Sequence, residues 1–192
     1  MPLVQAALVG ARKGLLARDS FDRPDDSGSL GAADSGQAWT QLYGAGGIVS
    51  STARLTSDAA AYLELKRSDA EAECSILATV DEPIHPGLLF RAVNDTNFWY
   101  LELRFNSDLL RLVKRVANVD TVVFSESFAL GINIRYKVRV KGAGPTIGVY
   151  MNDTLRSTVS DSAHQGATRH GLFQAGASSN NRWDDFRVTG AR

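Results

Sequence analysis

The side chains best equipped for chemistry stand in and around residues 87–105, GLLFRAVNDTNFWYLELRF. With Asn94-Asp95-Thr96-Asn97 as its turn, this stretch reads as a β-hairpin pairing Val93 with Phe98, Ala92 with Trp99, Phe90 with Leu101 and Leu88 with Leu103. That face is apolar. The opposite face carries Arg91 across from Tyr100 and Leu89 across from Glu102, and a third strand entered through Asn106-Ser107 sets Arg111 across from Glu102. Guanidiniums, a carboxylate and a phenol on one wet face, with Asn94, Asp95, Asn97, Asn180 and Asn181 in nearby loops, are groups that bind sugar hydroxyls. A Glu102–Arg111 cross-strand pair is equally at home on a merely solvated sheet face.

Other reactive residue types offer less. Cys74 falls in the alternating run Cys74, Ile76, Ala78, Val80 and reads as a small buried hydrophobe. His85, His164 and His170 are scattered, with no close metal-binding pair and no nucleophile elbow around any serine. Arg135, Lys137, Arg139 and Lys141 alternate with Ile134, Tyr136, Val138 and Val140, forming a basic row that suits an anionic glycan, a partner subunit or plain solvation. In the closing strand, alternation places Asp184 on the same inward face as Phe186 and Val188, opposite Trp183, Asp185 and Arg187. An inward carboxylate must be paired, hydrogen-bonded or bound to a metal.

The elements that position these groups are strands. They are expected around Ala38–Tyr43, Gly47–Leu55, Tyr62–Arg67, Glu73–Val80, the central hairpin and its third strand, Thr121–Phe124, Asn133–Lys141, Thr146–Met151, Leu155–Val159, Gly171–Ala177 and Arg182–Thr189. Turn signals recur every 8–12 residues, and no repeat of 20–50 residues interrupts them. The fold class is therefore all-β, an antiparallel β-sandwich or jelly roll. Residues 1–18 differ in composition and read as an N-terminal arm, an anchoring segment or a frayed end, leaving 19–192 as the sandwich domain.

A chain of 192 residues suffices for one such domain without disulfides, and it has a single cysteine. Lysine plus arginine and aspartate plus glutamate each number 21, so a general nucleic-acid or anionic-membrane binder is not expected. The first residues lack the basic start of a secretory signal, and Arg12 and Lys13 interrupt their apolar patch. The expected location is the cytoplasm, or an assembled particle that leaves it.

Three segments in order, GLLFRAVNDTNFWYLEL, IRYKVRVKGAGPTIGVYMNDTL and HGLFQAGASSNNRWDDFRV, resemble the concanavalin A-like lectin/glucanase superfamily in its laminin G-like branch, over about residues 19–190. The resemblance implies a jelly roll. It also implies a structural Ca²⁺ held by Asp184 with contributions from Asp19, Asp22 and Gly47; capping of backbone amides or pairing with arginine is the alternative for Asp184. The Glu-x-Asp-x-x-Glu string with which glucanases of the superfamily cleave β-glucans does not occur, so a non-catalytic domain is expected. The opening SFDRPDDSGSLGAADSGQAW resembles the front of tail-associated and other virion proteins of phages of Gram-positive, especially actinobacterial, hosts. That resemblance implies a virion protein of the tail or capsid decoration, with other virion subunits as partners through residues 1–18, host surface glycan as a further partner, and a homo-oligomer. A carbohydrate-active bacterial enzyme or binding module, and a purely structural lattice protein without a sugar site, are the alternatives.

Overall fold

The structure, a computed structural model, describes residues 14–191. Its strands form two antiparallel sheets stacked as a sandwich, the architecture the alternating pattern predicted. One sheet runs in the order β13 (Thr154–Ser160), β12 (Thr146–Met151), β11 (Arg135–Ala143), β6 (Ala70–Ala78), β15 (Asn181–Gly190), β4 (Thr52–Leu55) and β3 (Gly46–Val49), with β1 (Leu15–Asp19) also paired to β15. The other runs β10 (Val119–Ser127), β9 (Leu109–Val116), β8 (Asn97–Arg104), β7 (His85–Asn94), β14 (Arg169–Ala175), β5 (Ala59–Glu64) and β2 (Thr40–Tyr43).

The facing sides interdigitate into one core. Leu88, Phe90, Trp99, Leu101, Leu103, Leu110 and Leu112 meet Ala72, Cys74, Ile76, Val138, Val140, Trp183 and Val188 there, all buried. Burying a large apolar side chain is worth roughly 2 kcal/mol, so these rows hold the layers together. Both buried indoles keep their polar edge satisfied: Trp183 Nε1 donates to the Gly87 carbonyl at 2.8 Å and Trp99 Nε1 to that of Ala163 at 2.9 Å. Val80 and Ile134, expected inside, are exposed because β6 ends at Ala78 and β11 begins at Arg135.

Three departures from simple alternation matter. In the hairpin, Phe90 pairs with Trp99 and not with Leu101, because three residues of β7 (91–93) lie opposite the single Phe98 before Asn94 meets Asn97. Arg91 adopts φ 48°, the left-handed region disfavoured for side-chain-bearing residues, and this bulge turns its side chain into the sandwich. The slip is two residues, so the core face is preserved while every cross-strand partner on the other face changes.

In β15 a second bulge between Asp184 and Arg187, with Asp185 at φ 52°, moves Trp183 inward beside Phe186 and Val188. Asp184, expected inward, faces out and pairs with Arg135 at 3.0 Å. Finally, Leu15–Asp19 pairs with β15 and buries Ala17, so residues 15–18 belong to the sandwich rather than to an arm; residues 1–13 lie outside the described residues.

The front segment packs as one knot around Asp19, which is 1% exposed. Arg23 grips its carboxylate with two hydrogen bonds of 2.8 Å, Trp39 Nε1 donates at 2.6 Å, and the Phe21 amide donates at 2.9 Å. Arg23 Nε also donates to the Leu30 carbonyl at 3.1 Å, the Trp39 amide bonds the Gly31 carbonyl, and the Phe21 and Trp39 rings lie 5.7 Å apart. A buried carboxylate with four donors is a stable anchor for an otherwise irregular segment.

Candidate functional site

The outward face of the seven-stranded sheet is not the simply wet surface its residue types suggested. Leu89, Ala92, Phe98, Tyr100, Val113, Phe173 and Ala60 form a second buried cluster there. Tyr100 stacks on Phe173 with ring centroids 4.1 Å apart, and the Arg115 guanidinium lies 4.8 Å from the Phe98 ring centre. Arg115 in turn forks onto Asp120 at 2.7 and 2.8 Å, and these hydrogen bonds hold the Asp120 carboxyl below its ordinary range. Burial pushes the Tyr43 phenol up to about 12 and raises that of Tyr100 as well, so both stay neutral.

One row across this face carries charge into its middle. Successive partners are Ser125, Arg111, Glu102, Gly87, Phe173, Ala60 and Tyr43, from β10 to β2. Gly87 is compulsory in this row: a Cβ there would lie 2.1 Å from the Leu101 carbonyl oxygen.

Glu102 is 2% exposed and accepts a hydrogen bond from Arg104 Nε at 2.9 Å. Arg111 Nε stands 3.4 Å from the same oxygen, an ion pair without hydrogen-bond geometry, so this buried Nε has no acceptor. Burial raises the Glu102 carboxyl, and the charges of Arg104 and Arg111 oppose that rise. His85, two residues before Gly87 on the same face of β7, is pushed down to about 4, first by burial and then by the same two guanidiniums. It is a neutral imidazole.

Of the residues expected to bind ligand, Glu102 and Arg111 are paired as predicted, with Arg104, His85 and Gly87 added. Tyr100 shares the face, but its ring is already covered by Phe173. Arg91 is elsewhere: fully buried between the sheets, it reaches Asp69 Oδ1 at 3.1 Å and the Ser68 carbonyl at 3.3 Å. Asn94 and Asn97 lie at the turn, about 17 Å along the strand from Glu102 at 3.4 Å per residue. Asn94 Oδ1 accepts from Thr96 and Asn97, and Asn97 Oδ1 accepts from the Ala117 amide, so both amides build the turn. Asp95 sits exposed in that turn. Asn180 donates to Glu82, and Asn181 is buried and donates to Gln174 Oε1 at 3.0 Å. The basic row is largely neutralised: Arg135 pairs with Asp184, Lys137 with Asp153 and Glu73, and Arg139 with Glu71.

The four residues expected around Ca²⁺ are each engaged within the protein. Asp19 has its oxygens taken by Arg23, Trp39 and the Phe21 amide, Asp184 by Arg135 and the Asp185 amide, and Asp22 accepts from Ser51 Oγ at 3.1 Å. Gly47 packs against Asp26 and Ser27, where a Cβ would lie 2.1 Å from the Asp26 carbonyl oxygen. Among the described residues no three histidine, cysteine, aspartate or glutamate side chains are placed to hold a metal ion.

Comparison with known proteins identifies the fold. No family model and no curated protein matches the chain. Among solved structures it is similar to the carbohydrate-binding module CBM66 from Bacillus subtilis, at 18% identity over 80% of this chain and 92% of that one, with a TM-score of 0.61. It is also similar to the β-glucanase of Bacillus licheniformis, at 9% identity over 93% and 99% of the two chains and a TM-score of 0.63. LamAcat from Zobellia galactanivorans aligns at 8% identity over 92% and 97% of the two chains, with a TM-score of 0.65. At these identities the shared property is the jelly roll.

Proposed function

We propose that the domain binds glycans without cleaving them, through the outward face of the seven-stranded sheet at Glu102. The observation that carries this reading is the pair of partly exposed guanidiniums, Arg104 and Arg111, beside the Glu102 carboxylate. Their unclaimed Nη donors suit sugar hydroxyls. That one of the similar structures is a carbohydrate-binding module supports the reading. Hydrolysis by a carboxylate pair needs a second free carboxylate, and Asp120 on this face is committed to Arg115.

Calorimetric titration against a panel of oligosaccharides tests the proposal. Binding that is lost in Glu102→Gln and in Arg104→Gln, with melting curves kept, supports it; release of reducing sugar by the wild type would favour an enzyme of the same fold.

Carriage on a phage particle, beside other virion subunits and as a homo-oligomer, is the finer part of the proposal. It rests on the resemblance of the front segment, whose Phe21, Arg23, Leu30, Gly31 and Trp39 also serve the packing around Asp19. Mass spectrometry of purified particles tests it, and absence from them would leave the glycan-binding module alone.

A further inference from the structure

The outward face of the eight-stranded sheet carries a polar cavity of about 290 Å³ at its β13 end. Gly148 is its floor. On the ladder Gly148 lies between Lys141 of β11 and Thr158 of β13, while Thr146 and Tyr150, two residues away along β12, rise on the same face. Four polar side chains thus wall the space that a glycine leaves, with Ala143 beside Thr146 at the corner. Thr146 and Thr158 are exposed and Lys141 and Tyr150 half-buried, so the cavity is open to solvent. None of the four makes a hydrogen bond or an ion pair among the described residues.

The aromatic wall is held in place. The Arg139 guanidinium stacks 3.9 Å from the Tyr150 ring centre and is itself tied to Glu71 at 2.7 Å. The ring leans over the floor: a Cβ at position 148 would lie 3.1 Å from its Cε2. No carboxylate lines the cavity, and Glu71, across from Lys141 on β6, is already engaged by Arg139. An aromatic wall, three hydroxyls and an ammonium without an ion-pair partner complement a sugar ring that carries a negative charge. The volume, at the lower end of the range for small-molecule sites, suits one such ring rather than a chain. From this arrangement we infer that the Gly148 cavity is a separate glycan site, on the sheet opposite Glu102, which takes a single acidic sugar residue with its carboxylate or sulfate on Lys141.

The experiment is an amide NMR titration of the full chain with the methyl glycosides of galacturonic acid, galactose 6-sulfate and galactose. Shifts around Lys141, Gly148 and Thr158 are expected, with an anionic sugar binding about tenfold tighter than the neutral one and the gap shrinking in salt. A preference for the first sugar identifies a carboxylate and for the second a sulfate ester. Gly148→Val fills the cavity, and the atoms nearest its Cβ all belong to the Tyr150 side chain, which can move. It should abolish the shifts with the melting temperature kept. Lys141→Gln, a change at a half-buried surface position, should erase the charge preference and keep binding of the neutral galactoside, which tests the site even if the valine variant unfolds. Glu102→Gln should leave these shifts unchanged, so failure on one sheet does not touch the other. Equal binding of the three sugars, shifts that survive Gly148→Val, or no shifts at all overturns the inference, whatever binds at Glu102.

Discussion

Acid should destabilise this protein in good part through His170 on β14. It is fully buried, its Nε2–H donates to the Arg67 carbonyl at 3.2 Å, and Nδ1 faces no donor. Protonation would create a buried cation with a stranded N–H, near Arg91 and the Phe90 ring. Burial accordingly pushes its folded pKa from 6.5 down to about 4. Because the folded value lies below the unfolded one, the unfolded chain binds the proton first. The stabilisation is complete above pH 6.5 and is lost progressively as the pH falls toward 4. At about 1.4 kcal/mol per tenfold, the full gap amounts to roughly 3 kcal/mol, most of it gone by pH 4.5. For a domain of this size that corresponds to a fall in melting temperature of about 5–10 °C. The assay is calorimetry or circular dichroism melting of the wild type and His170→Leu at pH 7.5 and 4.5. The variant starts lower, having lost one hydrogen bond, but should show a pH-dependent fall smaller by about the stated amount. Equal falls in the two proteins would refute the assignment.

Three further outcomes follow from the packing. Gln174 is fully buried, and its Nε2 lies 3.0–3.3 Å from the carbonyls of Leu55, Ser57, Gly176 and Ser178; Gln174→Leu should cost about 2–4 kcal/mol in denaturant titration, with an unchanged midpoint refuting the hub. Asp19→Asn strips a paired charge from the front knot and should cost about 3 kcal/mol, with Trp39 fluorescence shifting toward that of exposed indole; retention of the native spectrum would refute it. Chelator should leave the melting temperature unchanged, because the oxygens of Asp19 already have protein partners. A fall of several degrees, abolished in Asp184→Ala, would restore a bound cation.

The sequence was most readable where strands meet without irregularity. Leu101 with Leu112, Leu103 with Leu110 and Glu102 with Arg111 pair as alternation requires, because the short 3₁₀ turn Phe105–Ser107 joins β8 to β9 with no slip. Bulges defeated the same logic. Nothing in RAV marks the two extra residues that β7 absorbs before its turn, so plain alternation puts Arg91 outside and hides the pairing of Gly87 with Glu102. Counting alternate positions backward from Leu89 would have found both Gly87 and His85. Trp183 carried a comparable signal, since an indole beside two carboxylates in a closing strand is more readily buried than exposed. Phe173, Arg115 and Tyr43 reach the site from β14, β9 and β2, distant in sequence, and no local pattern reports such a meeting.

Both sheets are completed from the far end of the chain. β14 lies between β7 and β5, and β15 is flanked by β6 on one side and by β1 and β4 on the other. During synthesis, therefore, five earlier strands must wait with open hydrogen-bonding edges until residues 169–190 leave the ribosome. Folding is obliged to be late and concerted rather than progressive, and a nascent chain stalled before residue 169 would be a target for chaperones instead of a half-built domain.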